Sequence, residues 1–315
     1  MTKHIHRFQS QAEFETAYNG SEYIEPWLSY TETKGVDYNI DYNKIPFTIV
    51  VVGSSGYIKL KLGDKTVQYS KNNEEWNTMD SGTTISVVEG DEVRFKGTNS
   101  EYNSNTGLIT APMSFNVKGN IMSLTNGDNF TTANTISTNC FRSMFFNCTT
   151  LVSAKNLKLP VTTLASGCYG EMFRACGSLI EAPELPATTL ANGCYTSMFY
   201  GCSNLTTAPK LPATTLYPEC YNSMFNGCTK LEQAPELPSE MLTSNCYAYM
   251  FCNCKKLNYI KAMFKFLPPQ LSSATSSWVY GVASSGTFIK NAAATWTTTG
   301  ANGVPDGWTV QTASA

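Results

Sequence analysis

The sequence predicts an α+β protein in two parts, a small antiparallel β-sandwich or barrel followed by a solenoid of short helices and strands. Three observations predict it. Ten of the eleven cysteines fall into pairs eight residues apart, and the first members step by 28, 26, 26 and 26 residues from Cys140 through Cys168, Cys194 and Cys220 to Cys246. Such self-similarity at a fixed period marks stacked coils. Between residues 47 and 96, five short apolar or β-branched runs are divided by Gly, Asn and Asp, as strands and turns are. Charged residues make up only 15 % of the chain, which suits polar loops and stacked strands better than long solvated helices.

A chain of 315 residues has room for about two domains. The organisation expected is a docking segment over residues 1–42, a small all-β domain over 43–116, the repeat over 117–265 and a C-terminal cap over 266–315. In the β domain, strands are expected at 47–52, 57–62, 67–69, 83–88 and 92–96. Tyr57, Lys59 and Lys61 alternate there with Ile58, Leu60 and Leu62, so one face of that strand is wet and the other buried. Residues 1–42 carry scattered aromatics without a sustained period, and Phe8, Phe14, Tyr23, Trp27 and Tyr30 are the candidates for docking on a partner.

The repeat has two phrases. The first reads CFRSMFFNCTTL, CYGEMFRACGSL, CYTSMFYGCSNL, CYNSMFNGCTKL and CYAYMFCNCKKL in successive coils. Tyr169, Met172, Phe173 and Cys176 sit at i, i+3, i+4 and i+7, which predicts a two-turn helix with Ser166 or Asn192 as N-cap residues. The second phrase, close to A-P-x-L-P-A-T-T-L, predicts a short strand through Leu179, Ala182 and Leu185 that Pro186 ends. Helix, turn, strand and loop in about 26 residues lies within the range of leucine-rich repeats. Each unit is too small to bury its own apolar face, so neighbours must stack. The phrase M-F-x-x-C-x-x-L-x-x-A-P-x-L-P, with the closing run from Trp278 through Gly286, Thr287 and Phe288 to Gly307 and Trp308, resembles the BspA-type leucine-rich repeats of surface and virion-associated proteins of gut anaerobes and their phages. The resemblance spans roughly residues 120–310. Ala17 to Tyr30 also resembles openings of phage structural proteins. What these resemblances imply is recognition or adhesion, with no particular ligand.

Chemistry-bearing groups are few. The paired cysteines do not match structural zinc spacing, so Cys148, Cys176, Cys202, Cys228 and Cys254 are expected to form a buried ladder of small apolar side chains, with Cys252 and Cys254 the one thiol cluster to test. The two histidines, His4 and His6, support neither a metal site nor a Ser-His-Asp arrangement. No nucleotide-binding or nucleophile-elbow motif is present, and no metal or cofactor is expected. The residue before each Leu-Pro pair reads Lys158, Glu184, Lys210 and Glu236, an alternation that predicts a charge ladder across coils. Phe141, Tyr169, Tyr195, Tyr221 and Tyr247 share the inward face and are expected in the core. The surface candidates for ligand contact are Tyr200, Tyr217, Tyr249 and Tyr259, where the repeat does not demand an aromatic.

Composition narrows function. A net charge of -2 offers no basic stripe for nucleic acid. The longest apolar run, 47–52, is far below the ~18 residues that span a bilayer. The start MTKHIHRFQSQAEF has no apolar signal region, so synthesis in the cytosol is expected. The expectation is a non-enzymatic recognition protein on a virion surface, bound to other virion proteins through residues 1–42 and to a host surface protein or glycan through the repeat. A bacterial cell-surface adhesin and an intracellular scaffold are the alternatives, and an oligomer is compatible with either.

Overall fold

The computed structural model describes residues 28–29, 39–63, 65–102, 106–267 and 273–313. Strands β1 (Leu28–Ser29) and β2 (Asn39–Ile40) form an isolated antiparallel pair. The β domain then builds two sheets. One has six strands, in the order β11 (Leu151–Lys158), β10 (Phe115–Asn120), β3 (Thr48–Val51), β8 (Glu92–Lys96), β5 (Val67–Lys71) and β6 (Asn77–Met79). The other has three, β7 (Ile85–Val87), β4 (Gly56–Leu60) and β9 (Ile109–Thr110). Ile58, Leu60 and Leu62 are buried while Tyr57, Lys59 and Lys61 are exposed, as the alternation requires. The pairing is not wholly antiparallel, because β10 runs parallel to β11 and so joins this sheet to the first repeat coil.

The repeat departs from expectation at the level of the backbone. Among the described residues the one α-helix is α1, four residues at Ser123–Asn126, and the rest of the regular structure is mostly strand, with a few 3-10 turns. The anticipated α+β class, with a leucine-rich-repeat solenoid of short helices and strands, is therefore not what the chain forms. Each cysteine-bounded phrase is a run of turns instead. In the second coil the N–H groups of Gly170, Met172, Arg174 and Cys176 close local turns three residues back, whereas those of Glu171, Phe173 and Ala175 donate to Thr196, Met198 and Tyr200 of the next coil at 2.7 to 2.9 Å. A helix would spend every one of these donors internally. Ser166 and Asn192 cap nothing; their carbonyls accept from Asn139 and Gly167 of the preceding coil.

Left-handed residues, four apart, turn alternate peptides outward. They are Asn139, Ser143 and Asn147, then Gly167, Glu171 and Ala175, Gly193, Ser197 and Gly201, Glu219, Ser223 and Gly227, and Asn245, Tyr249 and Asn253, all with φ between 53° and 77°; Phe141 and Tyr169 are left-handed besides. Gly and Asn hold about half of these places, Gly because a Cβ costs about 1–2 kcal/mol there and Asn because its short polar side chain can bond locally. The same period of four buries Cys168, Met172 and Cys176 in one column and Tyr169 and Phe173 in another, all at 0 % exposure. A helix turning about 100° per residue would put two cysteines eight apart some 80° out of line. The eight-residue cysteine spacing therefore belongs to the turn array.

Side chains stack as the backbones do. Phe141, Tyr169, Tyr195, Tyr221 and Tyr247 lie ring on ring at 6.0 to 6.1 Å, and Phe145, Phe173, Phe199, Phe225 and Phe251 at 5.1 to 5.8 Å. A sixth coil without cysteine continues both columns. Tyr247, Tyr249, Phe251 and Asn253 donate backbone bonds to Ala274, Ser276, Trp278 and Tyr280, and the fully buried Trp278 covers Tyr247 and Phe251. Strands β12 (Tyr259–Ala262), β13 (Thr287–Lys290) and β14 (Thr309–Thr312) close this end as a parallel sheet.

Candidate binding groove

The second phrase of each coil positions the site. Where a proline-free segment is on one side, the coils zip together: Ala154 and Ile180 donate across the first and second coils, and Asn258, Ala234, Leu237 and Met263 across the fourth and fifth. The three middle coils carry Ala-Pro at 182–183, 208–209 and 234–235, and proline has no donor to give. Among the described residues the one bridge between the Ala-Pro phrases of the second and third coils is Glu181–Thr207, and no main-chain hydrogen bond joins 206–212 to 232–238. Continuous strands expected there are thus reduced to isolated bridges. A stretch of backbone donors and acceptors there has no main-chain partner among the described residues.

A groove of about 830 Å³ lies over this opening, lined by Ala182 and Ala208, by Pro183, Pro186, Pro209 and Pro212, and by Thr206 and Thr207. A smaller hollow of about 250 Å³ between the third and fourth coils shares Thr206, Thr207 and Ala208, so the two make one strip. Charge on the strip is uneven. Glu181 is held by Lys155 at 3.4 Å and by the Ser153 hydroxyl at 2.8 Å, and Glu184 by Lys158 at 3.1 Å. Glu236 turns away to Lys261 at 2.9 Å, a contact that raises the Lys261 pKa through the hydrogen bond and the carboxylate charge. Lys210 has no ion pair within 4.0 Å among the described residues. Of the alternating residues Lys158, Glu184, Lys210 and Glu236, the first two close as an ion pair, whereas Lys210 closes none within 4.0 Å among the described residues and Glu236 pairs with Lys261 instead.

The aromatic candidates do not converge. Tyr200 lies under the Arg174 guanidinium, 4.7 Å from its ring centroid. Arg174 also covers Phe146 and pairs at 2.9 Å with Glu171, which Arg142 holds from the other side, so Tyr200 belongs to a staple across three coils. Tyr217 and Tyr249 are exposed, the first in the loop before Cys220 and the second on the turn phrase, while Tyr259 lies half-buried on β12. None of the four lines the groove. Phe8, Phe14, Tyr23, Trp27 and Tyr30 lie outside the described residues, as do His4 and His6.

All eleven cysteines are free and buried. Five of them are more than small apolar fillers. The thiols of Cys176, Cys202, Cys228 and Cys254 donate to the carbonyls of Phe145, Phe173, Phe199 and Phe225 in the preceding coil at 3.0 to 3.2 Å, and Cys148 donates to Ile109 at 3.4 Å. Burial pushes the thiol pKa up, to about 11 at Cys140 and Cys194 and about 12 at Cys148, which disfavours the reactive thiolate. Cys252 is raised by burial as well. Among the described residues no group of three or more His, Cys, Asp or Glu could hold a metal ion, and no helix is long and apolar enough to cross a membrane.

The sequence reading missed Thr206, Thr207 and the lining prolines. Their signal was the departure of the outer coils from Ala-Pro, to Ala154-Lys155 and Ile260-Lys261, which marks where the backbone ladder closes. No family model, curated protein or solved structure matches the chain.

Proposed function

We propose that the chain is a non-enzymatic recognition protein, carried on a phage particle, that binds an acidic glycan of the host surface along the Ala-Pro strip. The observation that carries the ligand class is the open strip itself: among the described residues, backbone donors and acceptors without a main-chain partner, the Thr206 and Thr207 hydroxyls, and Lys210 as a cation without an ion pair. Backbone amides and hydroxyls match the hydroxyl groups of a sugar chain, and small alanine and proline side chains let a polymer approach the backbone closely. Lys210 adds preference for a carboxylate or sulfate. The particle assignment rests on the resemblance of the repeat phrase and of Ala17 to Tyr30 to virion-associated proteins.

Binding of the purified chain to arrayed neutral and acidic polysaccharides tests the ligand. An acidic glycan should be retained, and Lys210→Ala should weaken it about 5- to 10-fold, the loss of one charge-assisted contact. Stability should move by less than about 0.5 kcal/mol, as for a surface residue without a partner. Equal binding by Lys210→Ala, or no binding of any acidic glycan, overturns the ligand assignment. Absence of the chain from purified particles by mass spectrometry overturns the particle assignment.

A further inference from the structure

The strand β14 closes the far end of the coil array, and its backbone pattern is defined by its neighbour. Thr309 and Ala313 donate inward to Gly286 and Lys290, so with the parallel register of Thr309 on Thr287 the odd-numbered residues of β14 bond to β13. The N–H and C=O groups of Val310 and Thr312 therefore point outward, where no described residue pairs with them. All four residues of β14 are exposed, and it is an end strand of its sheet. A second observation is independent of the hydrogen bonds. Val310 stands in register with Phe288 and Ile260, both at 0 % exposure, yet is itself 52 % exposed, so the core column ends uncovered.

Exposed edges are ordinarily guarded by lysine, proline or a bulge. The inner strands of this sheet carry Lys261 and Lys290, whereas β14 reads Thr-Val-Gln-Thr, without charge, proline or register shift. We infer that the β14 edge is a pairing surface for a second copy of this chain, joined antiparallel about a two-fold axis at Gln311. In that register Val310 of each copy exchanges both backbone bonds with Thr312 of the other, four in all, and no charged side chain of β14 meets its like. Val310 and the Thr312 methyl group of the other copy share the core-side face and cover the end of each column. So short an edge buries far less than the ~1,200 Å² of a stable interface, so the pairing is concentration-dependent.

Sedimentation of the full chain from about 5 to about 500 μM, spanning micromolar to millimolar affinities, reads the association. The mean mass should climb towards twice that of one chain, and Val310→Lys, which places like charges across the axis and leaves the inward bonds intact, should weaken the dimer at least about 10-fold at low salt. Gln311→Cys gives the register. Two residues 311 facing each other as a non-hydrogen-bonded pair lie about 4.5 Å apart at Cα, within disulfide reach, whereas two residues 309 lie roughly 13 Å apart. Mild oxidation should therefore trap Gln311→Cys as a dimer and leave Thr309→Cys a monomer, with the eleven buried native thiols not competing. One chain's mass at every concentration with no trapping, a dimer indifferent to Val310→Lys, or equal trapping at 309 and 311 each overturns the inference.

Discussion

Cys202 separates two accounts of the thiol column. Its side chain is at 0 % exposure and its thiol donates to the Phe173 carbonyl at 3.0 Å, an oxygen that also accepts from the Cys176 N–H at 3.1 Å. Cys202→Ala removes one hydrogen bond, about 0.5–1.5 kcal/mol. It also deletes a group the size of a methylene from the core, about 0.8 kcal/mol before any cavity is counted. The expected loss is about 2 kcal/mol. Cys202→Ser keeps a donor aimed at the same oxygen, although the shorter side chain draws it back and the hydroxyl costs more to bury, for a net loss of about 1 kcal/mol. If the thiol were a small apolar filler the order would reverse, because serine would bury an unpaired hydroxyl. Equilibrium urea unfolding under reducing conditions measures both variants, and the S–H stretching band of the native protein should lie below that of a free thiol. A serine variant less stable than the alanine variant by about 1 kcal/mol or more, or a thiol band at the free position, would refute the donor account.

Two further outcomes follow from the described groups. Burial pushes the Asp91 carboxyl up, but hydrogen bonds from Asn72 at 2.7 Å, Val88 N–H at 2.8 Å and Lys71 at 2.9 Å outweigh it and leave its pKa below the ordinary value. The stability it contributes is complete above the ordinary aspartate value of about 3.9 and is lost as pH falls through the lowered one. Asp91→Asn should therefore cost about 2 kcal/mol at pH 7 and flatten the acid limb of the stability curve; an unchanged limb would count against this turn lock. For the thiols, native protein near pH 8 should alkylate slowly, and all eleven cysteines should titrate after unfolding without reductant. Two or more disulfides in that assay would contradict the reduced column.

Much of the interior was legible in the sequence. Strict alternation at Tyr57 to Leu62 marked a half-buried strand because successive Cβ atoms point to opposite faces whatever the rest of the chain does. The fixed period of the cysteine phrase marked stacking, and the aromatics that share its inward face are buried and stacked. The backbone carrying them was misread. Tyr169, Met172, Phe173 and Cys176 fit a period of 3.6 and a period of four equally well, and only the eight-residue spacing of Cys168 and Cys176 tells the two apart. That distinction rests on where the donors go, and the receiving carbonyls at Thr196, Met198 and Tyr200 belong to the next coil.

By itself, then, the sequence determined which side chains turn inward and the length at which the pattern recurs, because burial follows residue type and period locally. Tertiary structure alone decided how the hydrogen bonds are shared between coils, whether Lys210 meets a carboxylate, and which strand is left with an open edge. Each of these depends on the distance and direction between groups roughly 26 residues apart, quantities that exist only once the coils have stacked.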